Sequence, residues 1–130
     1  MIDFTNAQFL KLGAFDNDDA TKKVADMLID GESVFAAFKT VRDQVIFTNK
    51  RVIAINVQGL TGKKADYTSL PYSNIQSFSV ETAGVLDLDT EMVLWFAELG
   101  VVTFQFTAWF DIKTFNKLLG AYVLAGGTRL

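Results

Sequence analysis

The sequence predicts a mainly β fold, in which an antiparallel barrel follows a helical N-terminal segment and precedes an amphipathic helix. Three patterns carry this prediction. Apolar residues recur at helical spacing before residue 31, alternate with polar residues in short runs through 33–106, and return to helical spacing in 109–125. Hydrophobic residues make up 50% of the 130 positions, so the chain can bury a core as a single domain, 1–130.

Residues 1–31 are predicted to be a helical extension of the barrel. In the stretch DNDDATKKVADMLIDGE, one helical face collects the apolar side chains Ala20, Val24, Met27 and Leu28. The aspartates from Asp16 to Asp19 suit a helix start, and Gly31 suits its end because glycine tolerates a left-handed exit. We also expect a shorter helix across residues 5–12.

Seven runs in 33–106 alternate with the period of a β-strand. They are SVFAAFKTV, VIFT, RVIAINV, ADYTSLP, IQSFSVET, EMVLWFA and VVTFQF. Asn49 and Lys50 form a short connection of the kind found in hairpins, and Pro71 fits the end of a strand. Short strands at regular spacing are typical of an antiparallel barrel or sandwich.

The last segment, 109–125, is predicted to be one amphipathic helix. Its apolar stripe consists of Ile112, Phe115, Leu118, Leu119 and Tyr122. Such a stripe needs an apolar surface to cover, and the open end of the barrel supplies one. Gly126 and Gly127 are expected to end the helix.

The composition argues against catalysis. The chain has no cysteine and no histidine, so thiolate chemistry, imidazole acid–base catalysis and the commonest transition-metal ligand are absent. No Asp, Glu, Lys or Tyr pattern positions a nucleophile beside a base. We therefore predict a protein that is not an enzyme, with no catalytic residue, no cofactor and no metal.

The stretch GLTGKKADYTSLPY resembles a phosphate-binding loop only superficially. A Walker A loop needs two glycines that are five positions apart, a Ser or Thr after its lysine, and a helix behind it. Here Gly59 and Gly62 are three positions apart, Lys63 is followed by Lys64, and the next run alternates like a strand. The segment is predicted to be a hairpin turn with exposed lysines.

The stretch DLDTE is a second superficial match, this time to a calcium-binding loop. Asp87, Asp89 and Glu91 fit the first, third and fifth ligand positions. Met92 occupies the position that requires glycine for the sharp turn, and the following residues read as a strand. A solvated acidic edge is therefore predicted in place of a metal site.

Charge is strongly segregated along the chain. Residues 33–70 carry six basic and two acidic side chains, whereas residues 71–110 carry five acidic side chains and no lysine or arginine. Blocks of opposite sign suggest surfaces that meet each other, and the acidic balance disfavours nucleic acid. The N-terminus lacks a signal-peptide pattern and no run is long enough to span a membrane, so a cytoplasmic location is expected.

Several segments, in order, resemble the bacterial pleckstrin-homology-like domain family. They are LIDGESVFAAFK, FTNKRVIAINVQGLTGKKADYTSLPYSNIQSFSVETAG and LDLDTEMVLWF. The resemblance runs from about Leu28 to Phe106. It implies a seven-stranded, strongly bent antiparallel barrel capped by one helix, and it implies ring-like homo-oligomers. Members of this family are generally of unknown function, and a fold does not specify a function.

The resemblance also suggests where ligands or neighbours would bind. Phosphoinositide-binding pleckstrin-homology domains place basic residues around their first hairpin, where this chain has Lys39 and Arg42. With Lys63 and Lys64 these form a candidate site for anionic lipid or another anion. Asp87, Asp89 and Glu91 form a candidate acidic oligomer interface. We predict a non-catalytic, homo-oligomeric protein-interaction module that binds no nucleic acid, with peripheral binding of anionic lipid as the alternative.

Overall fold

The computed structural model describes residues 6–59, 64–81, 90–107 and 111–126. Within these ranges the chain forms eight strands and two α-helices. In chain order they are β1 (Asn6–Ala14), α1 (Asn17–Val24), β2 (Val34–Lys39), β3 (Asp43–Thr48), β4 (Arg51–Gln58), β5 (Lys64–Pro71), β6 (Ile75–Glu81), β7 (Thr90–Phe96), β8 (Gly100–Phe106) and α2 (Ile112–Leu124). Short 3₁₀ turns follow α1 at Ala25–Met27 and β5 at Tyr72–Asn74.

The eight strands form one curled sheet in the order β5-β4-β3-β2-β1-β8-β7-β6. Neighbouring strands are antiparallel except for β1 and β8, which run parallel. The sheet wraps around its core as a half-barrel, and β5 and β6 are its terminal strands. The seven predicted strands correspond to β2–β8, so the predicted fold class is confirmed, with one strand more than expected.

The additional strand is β1, and the helix predicted across residues 5–12 is therefore wrong. Phe9 and Leu12 are both buried although three positions separate them, because the register shifts between them. Lys11 lies in this irregularity with a φ of 57°. The extra residue of a bulge turns the period of two into a helix-like spacing, so the alternation was hidden in the sequence.

Helix α1 covers the outer face of β2–β4. Asp16 caps it, since its carboxylate accepts hydrogen bonds from the backbone N–H groups of Asp18 and Asp19 at 2.8 and 3.0 Å. Ala20 and Val24 pack against three buried isoleucines of β3 and β4, which are Ile46, Ile53 and Ile55. The helix is shorter than expected, and the positive φ predicted for Gly31 is observed, at 78°, in the turn before β2.

Helix α2 lies across the aromatic core on the inner side of the sheet. It begins at Ile112, after the capping carboxylate of Asp111, and not at residue 109. The ring of Phe115 lies edge-on to Phe47 at 5.0 Å and to Phe106 at 5.8 Å between ring centroids. The predicted capping helix is thus confirmed. Leu118 is the exception within its stripe, because 37% of it is exposed.

A buried ion pair ties the segment between α1 and β2 to the barrel. The Glu32 side chain is 0% exposed, and its carboxylate accepts hydrogen bonds from Arg51 Nε at 2.9 Å and from Thr48 Oγ1 at 2.6 Å. Arg51 also donates to Ser69 Oγ at 2.9 Å and to the Met27 carbonyl. Burial acts to raise the pKa of Glu32, but the hydrogen bonds from Arg51 and Thr48 hold that pKa below its usual value.

Candidate interaction surfaces

Two hairpin tips meet at one end of the half-barrel and carry the predicted basic residues. Arg42 follows β2, and its Nη1 donates to the carbonyls of Gly59 at 3.1 Å and Val57 at 3.5 Å. Lys64 begins β5, opposite Gln58 of β4. The sheet therefore brings Arg42 and the β4–β5 hairpin together although about twenty positions separate them in the chain. Lys63 lies outside the described residues.

This basic end is partly balanced by acidic side chains. Asp43 and Asp66 flank Asn56 in one row across β3, β4 and β5. Asp43 accepts a hydrogen bond from Asn56 Nδ2 at 2.6 Å and forms no ion pair with Arg42 in the described part of the chain. Lys39 is directed to the outer side of β2, where its Nζ lies 5.1 Å from the centroid of the Phe15 ring.

Val41 is a feature of this end that the sequence did not reveal. The strand predicted to run through Val41 ends at Lys39, so Val41 occupies the β2–β3 turn and is fully exposed, at 101%. The apolar run SVFAAFKTV concealed this, because valine favours strands. An exposed apolar residue between two bases can be inserted into a partner or a membrane interface.

The predicted acidic residues belong to the other half of the sheet, where the structure describes only Glu91. Its neighbour in register on β6 is Glu81, so two carboxylates face each other directly across the strands. Neither side chain has a hydrogen bond or ion pair within the described residues. Like charges in this position destabilise a sheet. Asp87 and Asp89 lie outside the described residues.

The outer face of β6, β7 and β8 continues from this acidic pair as a surface that no described helix covers, and these three strands contain no lysine or arginine. On β7, Val93 and Trp95 each lie between a serine of β6 on one side and a residue of β8 on the other. Trp95 is 37% exposed. Neither α1 nor α2 packs on this face, whereas α1 buries the equivalent face of β2–β4. Lys11 lies at the β1 bulge, where its backbone N–H donates to Gln105 of β8, and its side chain forms no ion pair with Glu91 in the described ranges.

The described residues contain no group of three or more His, Cys, Asp or Glu side chains arranged to hold a metal ion. Two open grooves of about 220 Å³ each are lined by residues that the structure describes. One runs between β2 and the start of α2 and is lined mainly by Phe35, Phe38, Phe115 and Leu118. The other lies between α1 and β5, beside Lys23 and Tyr67. No described helix is both long and apolar enough to cross a membrane.

Comparison with known proteins gives a consistent family assignment. A family model described as "Bacterial PH domain" matches residues 3–123. The uncharacterized protein YjqA of Bacillus subtilis (strain 168) is 48% identical over 102 residues, which cover 77% of this chain and 82% of that protein.

Solved structures from two Shewanella species share the fold. A DUF1696 family protein with a pleckstrin-homology domain from Shewanella loihica PV-4 has a TM-score of 0.75 and 32% identity, covering 88% of this chain and 99% of that one. A pleckstrin homology domain from Shewanella amazonensis SB2B has a TM-score of 0.62 and 36% identity, covering 84% and 89%.

Proposed function

Because the chain belongs to the bacterial PH domain family, we propose that it is a non-catalytic binding and assembly module that acts as a homo-oligomer in the cytoplasm. The observation that carries this proposal is the pair of carboxylates, Glu81 and Glu91, in direct register on an uncovered sheet face. Their repulsion is relieved when a neighbouring subunit brings a cationic group between them. A protein that keeps this arrangement gains stability by associating with a complementary surface.

The sheet topology supports head-to-tail assembly. The acidic face lies in the half of the sheet formed by β6–β8. Arg42 and Lys64 lie at the basic end of the other half, which contains β2–β5. Two different patches on one molecule make a heterologous contact, which closes into a ring when the rotation between neighbours divides a full turn.

A non-catalytic role is supported by the chemistry of the described surface. The two grooves are lined mainly by aromatic and aliphatic side chains. The carboxylate–hydroxyl contact in the groove beside α2, between Asp111 and Thr114 at 2.6 Å, belongs to the N-terminal cap of that helix. Burial raises the pKa of Tyr72 well above its usual value, and its hydroxyl donates to the Thr48 carbonyl inside the core. That group has a structural role.

Light scattering on the purified protein tests the assembly proposal. We expect a multimer at tens of micromolar in low salt and a smaller mass in high salt, because exposed charges are screened within about 8–10 Å at physiological ionic strength. The variant Glu81→Gln/Glu91→Gln should associate more weakly in low salt and respond less to added salt. A wild-type monomer whose mass is the same at both ionic strengths would reject the proposal.

A second candidate function is the binding of anionic lipid by the basic end of the half-barrel, and the exposed side chain of Val41 favours this function. An apolar side chain flanked by Lys39 and Arg42 is suited to entering the headgroup region while its neighbours contact phosphates. Each basic residue close to an anionic membrane contributes about 1 kcal/mol. Lys39, Arg42, Lys63 and Lys64 would together give weak, salt-sensitive binding.

Co-sedimentation with vesicles of mixed phosphatidylserine and phosphatidylcholine tests this alternative. If it holds, the protein is retained at low salt, and retention is lost when the four bases are replaced by alanine and reduced in Val41→Ser. The exposed Ile29→Ser is the matched control, since Ile29 lies on the α1–β2 segment. Absence of wild-type retention at low salt would eliminate the lipid function.

A further inference from the structure

The cationic surface that binds Glu81 and Glu91 must consist of basic side chains that are not held by contacts within their own subunit. In the 33–70 block, Arg51 is committed to Glu32. Arg42 donates to two carbonyls of the β4–β5 hairpin, and Lys39 lies over Phe15. Lys64 remains exposed but shares its end of the sheet with Asp43 and Asp66. This block offers a weaker counter-surface than its formal charge suggests.

The outer face of α2 is a better counter-surface. The helix contains two lysines and no acidic residue between Ile112 and Leu124. At about 100° per residue, Lys113, Lys117 and Leu124 lie within about 40° of one another around the helix axis, with Ala121 beside them. All four are exposed, and Leu124 is 82% exposed. The buried stripe of α2 points to the opposite side, into the core.

We propose that α2 of one subunit docks on the outer face of β6–β8 of a second copy, with Lys113 and Lys117 against Glu81 and Glu91, and Leu124 against Trp95. This inference rests on the proposed homo-oligomeric function and names the surface that forms its contact. The occupant is a second copy because both faces belong to this chain, neither packs against another element in the described ranges, and the two are complementary in charge and in apolar character.

The dimensions of the two faces agree. Glu91 and Trp95 are four positions apart on β7, which corresponds to about 13 Å along the strand. Leu124 lies about 10 Å from Lys117 and about 16 Å from Lys113 along the axis of α2. A helix laid along β7 with its first turns over the carboxylates therefore places Leu124 near Trp95. The positive end of the helix dipole also points to the acidic pair in this orientation.

One side chain opposes this orientation. Asp111 precedes α2, so its negative charge lies at the end of the helix that faces Glu81 and Glu91 of the second copy. Its carboxylate is turned back onto Thr114, whose Oγ1 and N–H donate to it at 2.6 and 3.1 Å. These hydrogen bonds hold the pKa of Asp111 below its usual value. The carboxylate thus offsets the dipole of its own helix, and the two lysines supply the net attraction.

Charge reversal and mixing test the contact sharply. The variant Lys113→Glu/Lys117→Glu has two acidic faces, and Glu81→Lys/Glu91→Lys has two basic faces, so each should lose self-association by more than about tenfold. Mixed together, the two variants should assemble again, because every contact then joins an acidic face to a basic one. Combining all four changes in one chain should also restore assembly. Light scattering and sedimentation velocity measure these outcomes.

Matched controls separate the contact from net charge. Lys22→Glu/Lys23→Glu changes the charge of the exposed face of α1 by the same amount and should assemble like the wild type. Leu124→Ser should weaken assembly, whereas Ile29→Ser should not. Circular dichroism verifies that each variant is folded.

Two negative outcomes are distinguishable. If the wild type is a salt-insensitive monomer, the proposed homo-oligomeric function fails and the contact fails with it. If the wild type assembles but the α2 reversal leaves assembly unchanged, or the two reversed variants do not assemble when mixed, the oligomer stands and the α2 contact is overturned.

Discussion

Glu32 shows how a single side chain can join two parts of the fold. Its carboxylate contacts Arg51 and Thr48, which are 19 and 16 positions away in the chain, and accepts the Ile29 N–H at 3.1 Å. Its sequence context, IDGES, resembles a solvated turn, so local patterns give no sign of a buried ion pair. Only the packing of the α1–β2 segment against the β3–β4 turn creates this environment.

Replacing Glu32 by Gln should destabilise the protein by about 3–5 kcal/mol, because Arg51 is then left largely buried without its counter-charge. The pH dependence has a defined sign. The folded-state pKa of Glu32 lies below the value of 4.5 expected for the unfolded chain, so its contribution is fully present above pH 4.5 and is lost as pH falls through the folded-state pKa. Urea denaturation between pH 7 and pH 3 measures both effects.

Asp30→Asn is the matched control, since Asp30 is exposed in the same segment. We expect it to change the free energy of unfolding by less than about 0.5 kcal/mol. If Glu32→Gln behaved like this control at pH 7, or kept the full acid sensitivity of the wild type, the ion pair would not hold the segment.

Strand β1 shows what is decided at the scale of an element. Its register with β8 shifts between Phe9 and Leu12, and Lys11 adopts a φ of 57° while its N–H donates to Gln105 Oε1 at 3.3 Å. The seven strands β2–β8 were predictable because each is a short run that either alternates locally or, as in β3 and β4, is continuously apolar. β1 was not, because its bulge breaks the alternation and its main partner lies about 95 positions away.

The stability of variants at Lys11 should depend on how well each residue tolerates the left-handed backbone conformation at this position. Lys11→Val is expected to lower the free energy of unfolding by about 1 kcal/mol, because a β-branched side chain is strained at positive φ. Lys11→Gly should be more stable than Lys11→Val and close to the wild type. Gln8→Val, on the regular part of β1, should cost little, since valine favours strands. Denaturant titrations rank the three variants, and a Lys11→Val protein as stable as Lys11→Gly would argue against the bulge.

Phe47 represents the scale of the whole molecule, because one aromatic core unites both halves of the sheet and α2. Its ring contacts Phe38 of β2, Phe104 of β8 and Phe115 of α2, at 5.9, 5.7 and 5.0 Å between centroids. The elements that meet at Phe47 are far apart in the chain. We therefore expect the two halves to unfold together.

Phe47→Ala should cost about 3–5 kcal/mol, as expected for a large buried aromatic ring. In the wild type, far-UV circular dichroism and tryptophan fluorescence should report one coincident transition. Ile29→Ala, at a 60% exposed position, should leave the midpoint nearly unchanged. Separate transitions for the two probes would show that the halves of the sheet are independent.

The candidate surfaces were only partly predictable at this scale. The sequence pointed to Lys39, Arg42 and Lys64 as exposed loop bases and to Glu91 as part of an acidic edge. It did not show that Arg42 is held by backbone carbonyls, that Glu81 faces Glu91, or that Val41 lies in a turn. These facts depend on strand register, which joins residues without regard to their distance along the chain.

By itself the sequence determined the mainly β fold, seven of the eight strands, the closing helix, the segregation of charge and the lack of cysteine and histidine chemistry. Each of these features follows from the local periodicity of the sequence or from its composition. The tertiary structure alone decided that β1 is a strand, that Glu32 pairs with Arg51 and that neither described α-helix covers the outer face of β6–β8. These features arise from contacts between distant segments, whose energies depend on register and burial and leave no local pattern.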